Sequence, residues 1–116
     1  MPTIRFEETP EFEKECKRLG KKYRSLPKDL ELFKRLLEQF PKGTGNQMPI
    51  LHQENDMCII KARLACETLR GSFLRVIYAY EESCVTIFFI ELYYKGDKEA
   101  EDEARIQQFL RNHRKL

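Results

Sequence analysis

Residues 57–95 hold more β-branched and aromatic residues than any other part of the chain, in short runs broken by polar turns, and that pattern predicts strands. Three are expected, at 57–64, 73–80 and 84–94, with the polar Glu81-Glu82-Ser83 joining the last two as an antiparallel hairpin. A shorter strand at 3–7 places Ile4 and Phe6 on one face. Thr9-Pro10 offers an N-cap followed by proline at the first helical position, so a helix starts there, with Phe12, Cys16, Leu19 and Tyr23 along its apolar side. Ser25-Leu26-Pro27 interrupts it. A second helix follows over 27–40, where Leu30, Phe33, Leu36, Leu37 and Phe40 recur at helical spacing.

Pro41 and Gly43 end the second helix, and the polar stretch 42–56 reads as a loop, with Pro49-Ile50-Leu51 tucked against the core. Gly96-Asp97 turns the chain into a last helix over 98–112, acidic in its first turns and basic at its end, as the helix dipole favours. Its apolar stripe, Ala104, Ile106, Phe109 and Leu110, is thin. The order β-α-α-β-β-β-α describes an α+β fold: a mainly antiparallel four-stranded sheet, a helical hairpin packed on one face, and a C-terminal helix. Residues 1–116 are expected to form a single domain, long enough to bury a core without metal or disulfide help.

Charge changes the picture locally. The formal net charge is only +2, but residues 14–35 carry nine Lys or Arg against three acidic residues, a local balance of +6 on the outer faces of the two helices. Lys17, Arg18, Lys21 and Lys22 are the candidates for contact with nucleic acid there. Cys16, Cys58, Cys66 and Cys84 include no C-x-x-C pair, and His52 and His113 are the only histidines, so buried reduced thiols are expected and no metal site. No apolar run reaches membrane-spanning length and no signal-peptide pattern opens the chain, which points to a cytoplasmic protein with no membrane partner.

The strands also carry cations where a buried sheet would not want them. By alternation Lys61 and Arg63 share one face, as do Tyr93 and Lys95, with Tyr94 opposite. Arg75 lies inside the apolar run 73–80, where it needs a partner: an anionic ligand, or an ion pair with Glu91.

The segments IIKARL (59–64), GSFLRVIY (71–78) and VTIFFIELYYKGDKE (85–99), preceded by a strand and a charged helical hairpin, resemble the RelE/ParE superfamily of type II toxins over nearly the whole chain. The resemblance implies a RelE-like endoribonuclease that cuts mRNA on the ribosome without metal or other cofactor, and a cognate antitoxin protein as partner. It implies a catalytic set of Lys61, Arg63, Arg75 and Lys95, with Tyr93 stacking on a base or donating its hydroxyl. Arg75 suits bidentate phosphate binding, and Lys61 would serve as base if neighbouring cations lowered its pKa. Where many relatives have a late Tyr or His, this chain has acids from Glu99 to Glu103, and its one late histidine is His113. The alternatives are a ParE-like inhibitor of DNA gyrase and an inactive relative that only binds RNA or an antitoxin.

Overall fold

Five strands, rather than the expected four, form the sheet. The computed structural model describes residues 3–45 and 48–114, and its elements run β1 (Arg5–Glu8), α1 (Pro10–Lys22), α2 (Leu26–Gln39), β2 (Ile50–Glu54), β3 (Met57–Ala65), β4 (Phe73–Glu81), β5 (Thr86–Tyr94) and α3 (Glu103–Arg114). The strand order is β1-β5-β4-β3-β2, antiparallel except for the parallel β1–β5 pair. The added strand, β2, comes from the stretch expected to be a loop; residues 46 and 47 of that stretch lie outside the described residues. β2 escapes a hydropathy reading because it is an edge strand, with Ile50 and Leu51 exposed and only one flank paired.

Local signals account for the helical hairpin. The Thr9 hydroxyl accepts the Phe12 N–H at 3.2 Å and Pro10 occupies the first turn of α1. α2 begins one residue before the expected proline, and Ser25 donates to the Asp29 carboxylate at 2.6 Å. Both helices press their apolar sides on one face of the sheet. Phe12, Leu19, Leu26, Phe33 and Leu37 meet Ile60, Leu64, Val76, Tyr78, Phe89 and Leu92 in the larger core cluster. Tyr78 is fully buried and donates its hydroxyl to the Pro41 carbonyl at 3.0 Å, fixing the end of α2 over the sheet. Tyr78→Phe should therefore cost about 1 kcal/mol of unfolding free energy in chemical denaturation, with no change of fold.

The other face carries the candidate chemistry and a smaller core, Met57, Ile59, Ile77, Ala79 and Ile90 under Ile106, Phe109 and Leu110 of α3. A bulge decides what joins it. Ile77 faces Glu91 while Tyr78 faces Phe89, so Ile90 is an inserted residue. Strict alternation from Ile87 and Phe89 would turn Glu91 and Tyr93 toward the helical hairpin. The bulge turns them to the α3 face instead and sends Leu92 and Tyr94 to the hairpin side. Its carbonyl and the amide beyond it are satisfied: Ile90 O accepts from Arg105 at 3.1 Å and from Thr9 at 3.3 Å, and Leu92 N–H donates to Glu15 at 2.9 Å.

α3 starts five residues later than expected. Gly96 follows β5 so closely that a side chain there would run into the Tyr94 ring, and the chain passes through a turn and a bend as a non-helical strap before Asp102 caps the helix by accepting the Arg105 N–H at 3.1 Å. Among the described residues, no helix is long and apolar enough to cross a membrane.

Candidate functional site

Arg63 of β3 and Arg75 of β4 are direct cross-strand partners, and Arg75 in turn faces Tyr93 of β5. Residues paired in this way have their Cβ atoms on the same face only a few ångströms apart, so the two arginines rise from neighbouring positions. With Lys95, just past the end of β5, they line an open groove floored by Gly71, Ser72 and Gly96 and bordered by Phe73 and Tyr94. Arg63 and Lys95 are exposed and Arg75 is half-buried. Among the described residues no carboxylate lies within ion-pair distance of any of the three; Arg75 donates to the Phe73 carbonyl at 3.4 Å, and the Arg63 guanidinium lies 5.7 Å from the Phe73 ring. The ion pair between Arg75 and Glu91 does not form. Glu91 faces Ile77 instead, fully buried, and its carboxylate takes the Lys98 ammonium and the Asp102 N–H at 2.8 Å.

Lys61 sits two residues before Arg63 on the same face, but its surroundings differ. Its ammonium donates to Glu101 at 2.9 Å, and that hydrogen bond first of all raises its pKa above the usual lysine value, against the opposing effect of burial. The same contact holds the Glu101 carboxyl below its usual range. The expectation that cations would depress Lys61 is thus reversed: the Glu101 carboxylate faces it, and it keeps its proton. Tyr93 is buried beside it, its ring 5.2 Å from the Lys98 ammonium and its hydroxyl without a partner in hydrogen-bond geometry among the described residues. Burial raises the phenol pKa, opposed by the Lys61 charge, so the group remains a phenol and not a phenolate at neutral pH.

The strap thus overlies one end of the site. Lys98 pairs with Glu91, Glu101 with Lys61, and Arg105 at the start of α3 with Glu15 of α1 at 2.9 Å. Of the five candidate residues, Arg63, Arg75 and Lys95 meet in the groove, while Lys61 and Tyr93 lie beside it under the strap. Sequence reasoning missed Glu101 and Lys98 as members of this constellation, and it offered Glu91 to Arg75 rather than to Lys98. The acidic run 99–103 was visible, but its pairing with a lysine forty residues earlier has no local signature.

Lys17, Arg18, Lys21 and Lys22 are all exposed on α1, so the basic helix face is formed as expected. Its C-terminal end reaches the groove: Lys22 lies 5.5 Å from the Tyr23 ring, and Tyr23 packs on Tyr94, a groove wall, at 6.0 Å between centroids. The thiols are less uniform than expected. Cys58 and Cys66 are buried, Cys16 is half-buried with its pKa pushed up to about 12, mainly by burial, and Cys84 is exposed. His113 stacks on Phe109 at 4.1 Å and meets Phe88 edge-on at 4.8 Å, in the small core rather than at the groove.

No family model and no curated protein sequence matches the chain. Two solved structures do. A chain of the archaeal RelE–RelB complex from Pyrococcus horikoshii superposes with a TM-score of 0.62 at 23% identity, covering 82% of this chain and 98% of that one. The Escherichia coli toxin RelE, a double mutant in the free state, superposes with a TM-score of 0.57 at 20% identity, covering 84% of this chain and 90% of that one. The chain has the RelE fold, with three helices and a five-stranded sheet.

Proposed function

We propose that this RelE-like chain is the toxin of a type II toxin–antitoxin pair and an endoribonuclease that cuts mRNA on the ribosome. One observation carries the reading: Arg63 and Arg75 stand side by side without a carboxylate, next to Lys95, in an open groove. Like charges directly opposite on a sheet repel, and that cost is removed when an anion lies between them. A planar guanidinium pair matches the non-bridging oxygens of a phosphodiester.

In the proposed reaction the ribose 2′-oxygen bonds to the adjacent phosphorus as the bond to the 5′-oxygen breaks. The 2′-proton is withdrawn and a proton is delivered to the departing oxygen, leaving a 2′,3′-cyclic phosphate and a 5′-hydroxyl. Arg63, Arg75 and Lys95 face the charge that builds on phosphorus in this step. Lys61 and Tyr93 both hold their protons at neutral pH, which fits them to the leaving-group side rather than to the base. Primer extension on transcripts after induced expression should show discrete cuts inside reading frames. Intact transcripts together with gyrase-trapped DNA breaks would move the function to a gyrase poison.

The basic face of α1 is proposed to dock on ribosomal RNA, with the groove at its end turned to the message. Reversing Lys17 and Lys21 to Glu should weaken ribosome binding in a sedimentation assay about threefold and make its loss with salt shallower, because fewer counterions are released. Unchanged pelleting would assign docking to another surface. One structural neighbour was solved as a complex of RelE with RelB. A protein antitoxin is proposed here in the same sense, the product of an adjacent gene, acidic where it meets the groove. Co-expression should rescue growth and yield a co-purifying complex; failure of both would leave the toxin reading without its inhibitor.

A further inference from the structure

A second cleft opens directly beside the cationic groove, between α2 and the corner where β3 passes into β4, with a cavity volume of about 570 Å³. Its walls are mainly apolar: Leu32, Phe33 and Leu36 from α2 face Leu64, Ala65 and Phe73, while Glu67 lies on the rim and the Asp29 carboxylate is tied up by the Ser25 hydroxyl and the Glu67 N–H. Leu32 is 52% exposed and Leu36 39%, so the α2 wall is uncovered. The volume falls in the range of small-molecule sites, about 300–1,000 Å³.

The two clefts are continuous. Arg63, Gly71, Ser72 and Phe73 line both, and the small residues Gly71 and Ser72 put no bulk at the junction; around Gly71 a Cβ would meet nothing within 4 Å. Phe73, 37% exposed, stands at the boundary with the Arg63 guanidinium 5.7 Å from its ring, and Arg70 adds a second cation to the rim. A ligand that suits both halves has an anionic group for the groove joined, over a short distance, to a flat apolar group for the cleft. A nucleotide of single-stranded RNA has that construction, and aromatic and guanidinium faces are where unpaired bases stack.

We infer that this cleft is a nucleobase subsite, taking the base next to the phosphate held by Arg63, Arg75 and Lys95 and stacking it on Phe73. The inference rests on the proposed RNA-cleaving function and adds to it a place where sequence preference is set. The shared floor and the continuity with the phosphate groove favour this occupant over an amphipathic helix of a protein partner, which would need the apolar wall but not the phosphate groove.

The test uses a message 2′-O-methylated throughout, so that it binds without being cut, presented on ribosomes and alone. One nucleotide at a time is replaced by an abasic residue, and binding is compared for the wild type, Phe73→Ala and Leu36→Ser. The expected result is a single position at which base removal weakens wild-type binding about tenfold, the scale of one base–aromatic stack, with Phe73→Ala weakening intact RNA similarly and adding nothing to the abasic loss. Multiplying losses, or no sensitive position while Arg63→Ala still weakens binding, would overturn the subsite and leave the RNA reading standing. RNA binding indifferent to both Phe73 and Arg63 would overturn both. If Phe73→Ala and Leu36→Ser spare RNA binding but break the complex with the co-expressed neighbour protein, the cleft belongs to that partner. Thermal melts that stay two-state show that these half-exposed positions have been changed in a folded protein.

Discussion

An Arg63→Ala/Arg75→Ala protein should fold at least as well as the wild type and leave messages uncut. The two residues are cross-strand partners with no carboxylate between them, so the free protein carries their repulsion. Removing it should raise unfolding free energy by a few tenths of a kcal/mol. In the reaction the same two cations face the phosphate, and deleting a preorganised stabiliser of transition-state charge costs about a hundredfold to a thousandfold each, less than multiplicatively when two act together. Cleavage should therefore fall about a thousandfold or more in primer extension, and induced expression should no longer arrest growth. Opposite signs for stability and activity are the useful feature, because a merely structural role would move both down. A double variant that still cuts within about tenfold of wild type would remove the groove from the chemistry.

The same pair shows how far the sequence could be read. Alternation along the two strands put Lys61 with Arg63 on one face and Arg75 in an otherwise apolar run, and the resemblance grouped them with Lys95; register and groove agree for three of the four. The helices were legible because capping, proline placement and apolar spacing are local signals, and α1 and α2 follow them within a residue or two. What escaped depends on contacts that local pattern does not carry. β2 pairs along only one edge, so its burial is too slight to print an alternating pattern. One inserted residue at Ile90 moved Glu91 and Tyr93 across the sheet, and nothing in the string IFFIELYY marks it. Residues 98–102 have helix-forming composition, yet the chain there is bent and non-helical, with Lys98 paired to Glu91 and Glu101 to Lys61. Local propensity lost to two ion pairs.

Those ion pairs carry the second large effect. In the resting protein Glu101 occupies Lys61, so a cation two residues from Arg63 on the phosphate face is already neutralised. Neutral pH cannot change this. Glu101 has its pKa lowered from 4.5, so its contribution is fully present above 4.5 and is lost only as pH falls through the depressed folded value. Lys61 has its pKa raised from 10.5, so its contribution is fully present below 10.5 and is lost only as pH rises through the raised value. Substitution is the available lever. Glu101→Gln keeps the shape and removes the charge, and RNA binding should tighten about tenfold, with the slope of log affinity against log salt steeper by about 0.7, the mark of one further phosphate contact on single-stranded RNA. Lys98→Met acts on the other anchor. It leaves Glu91 buried with only the Asp102 N–H, at a cost of about 3 kcal/mol, toward the low end for a buried pair because Lys98 itself is 39% exposed. Adding Glu91→Leu to Lys98→Met should recover most of that loss, since no buried charge then remains, while Glu101 still holds the strap on Lys61. If Glu101→Gln leaves both affinity and salt slope unchanged, Lys61 is not a phosphate contact, and the strap masks nothing.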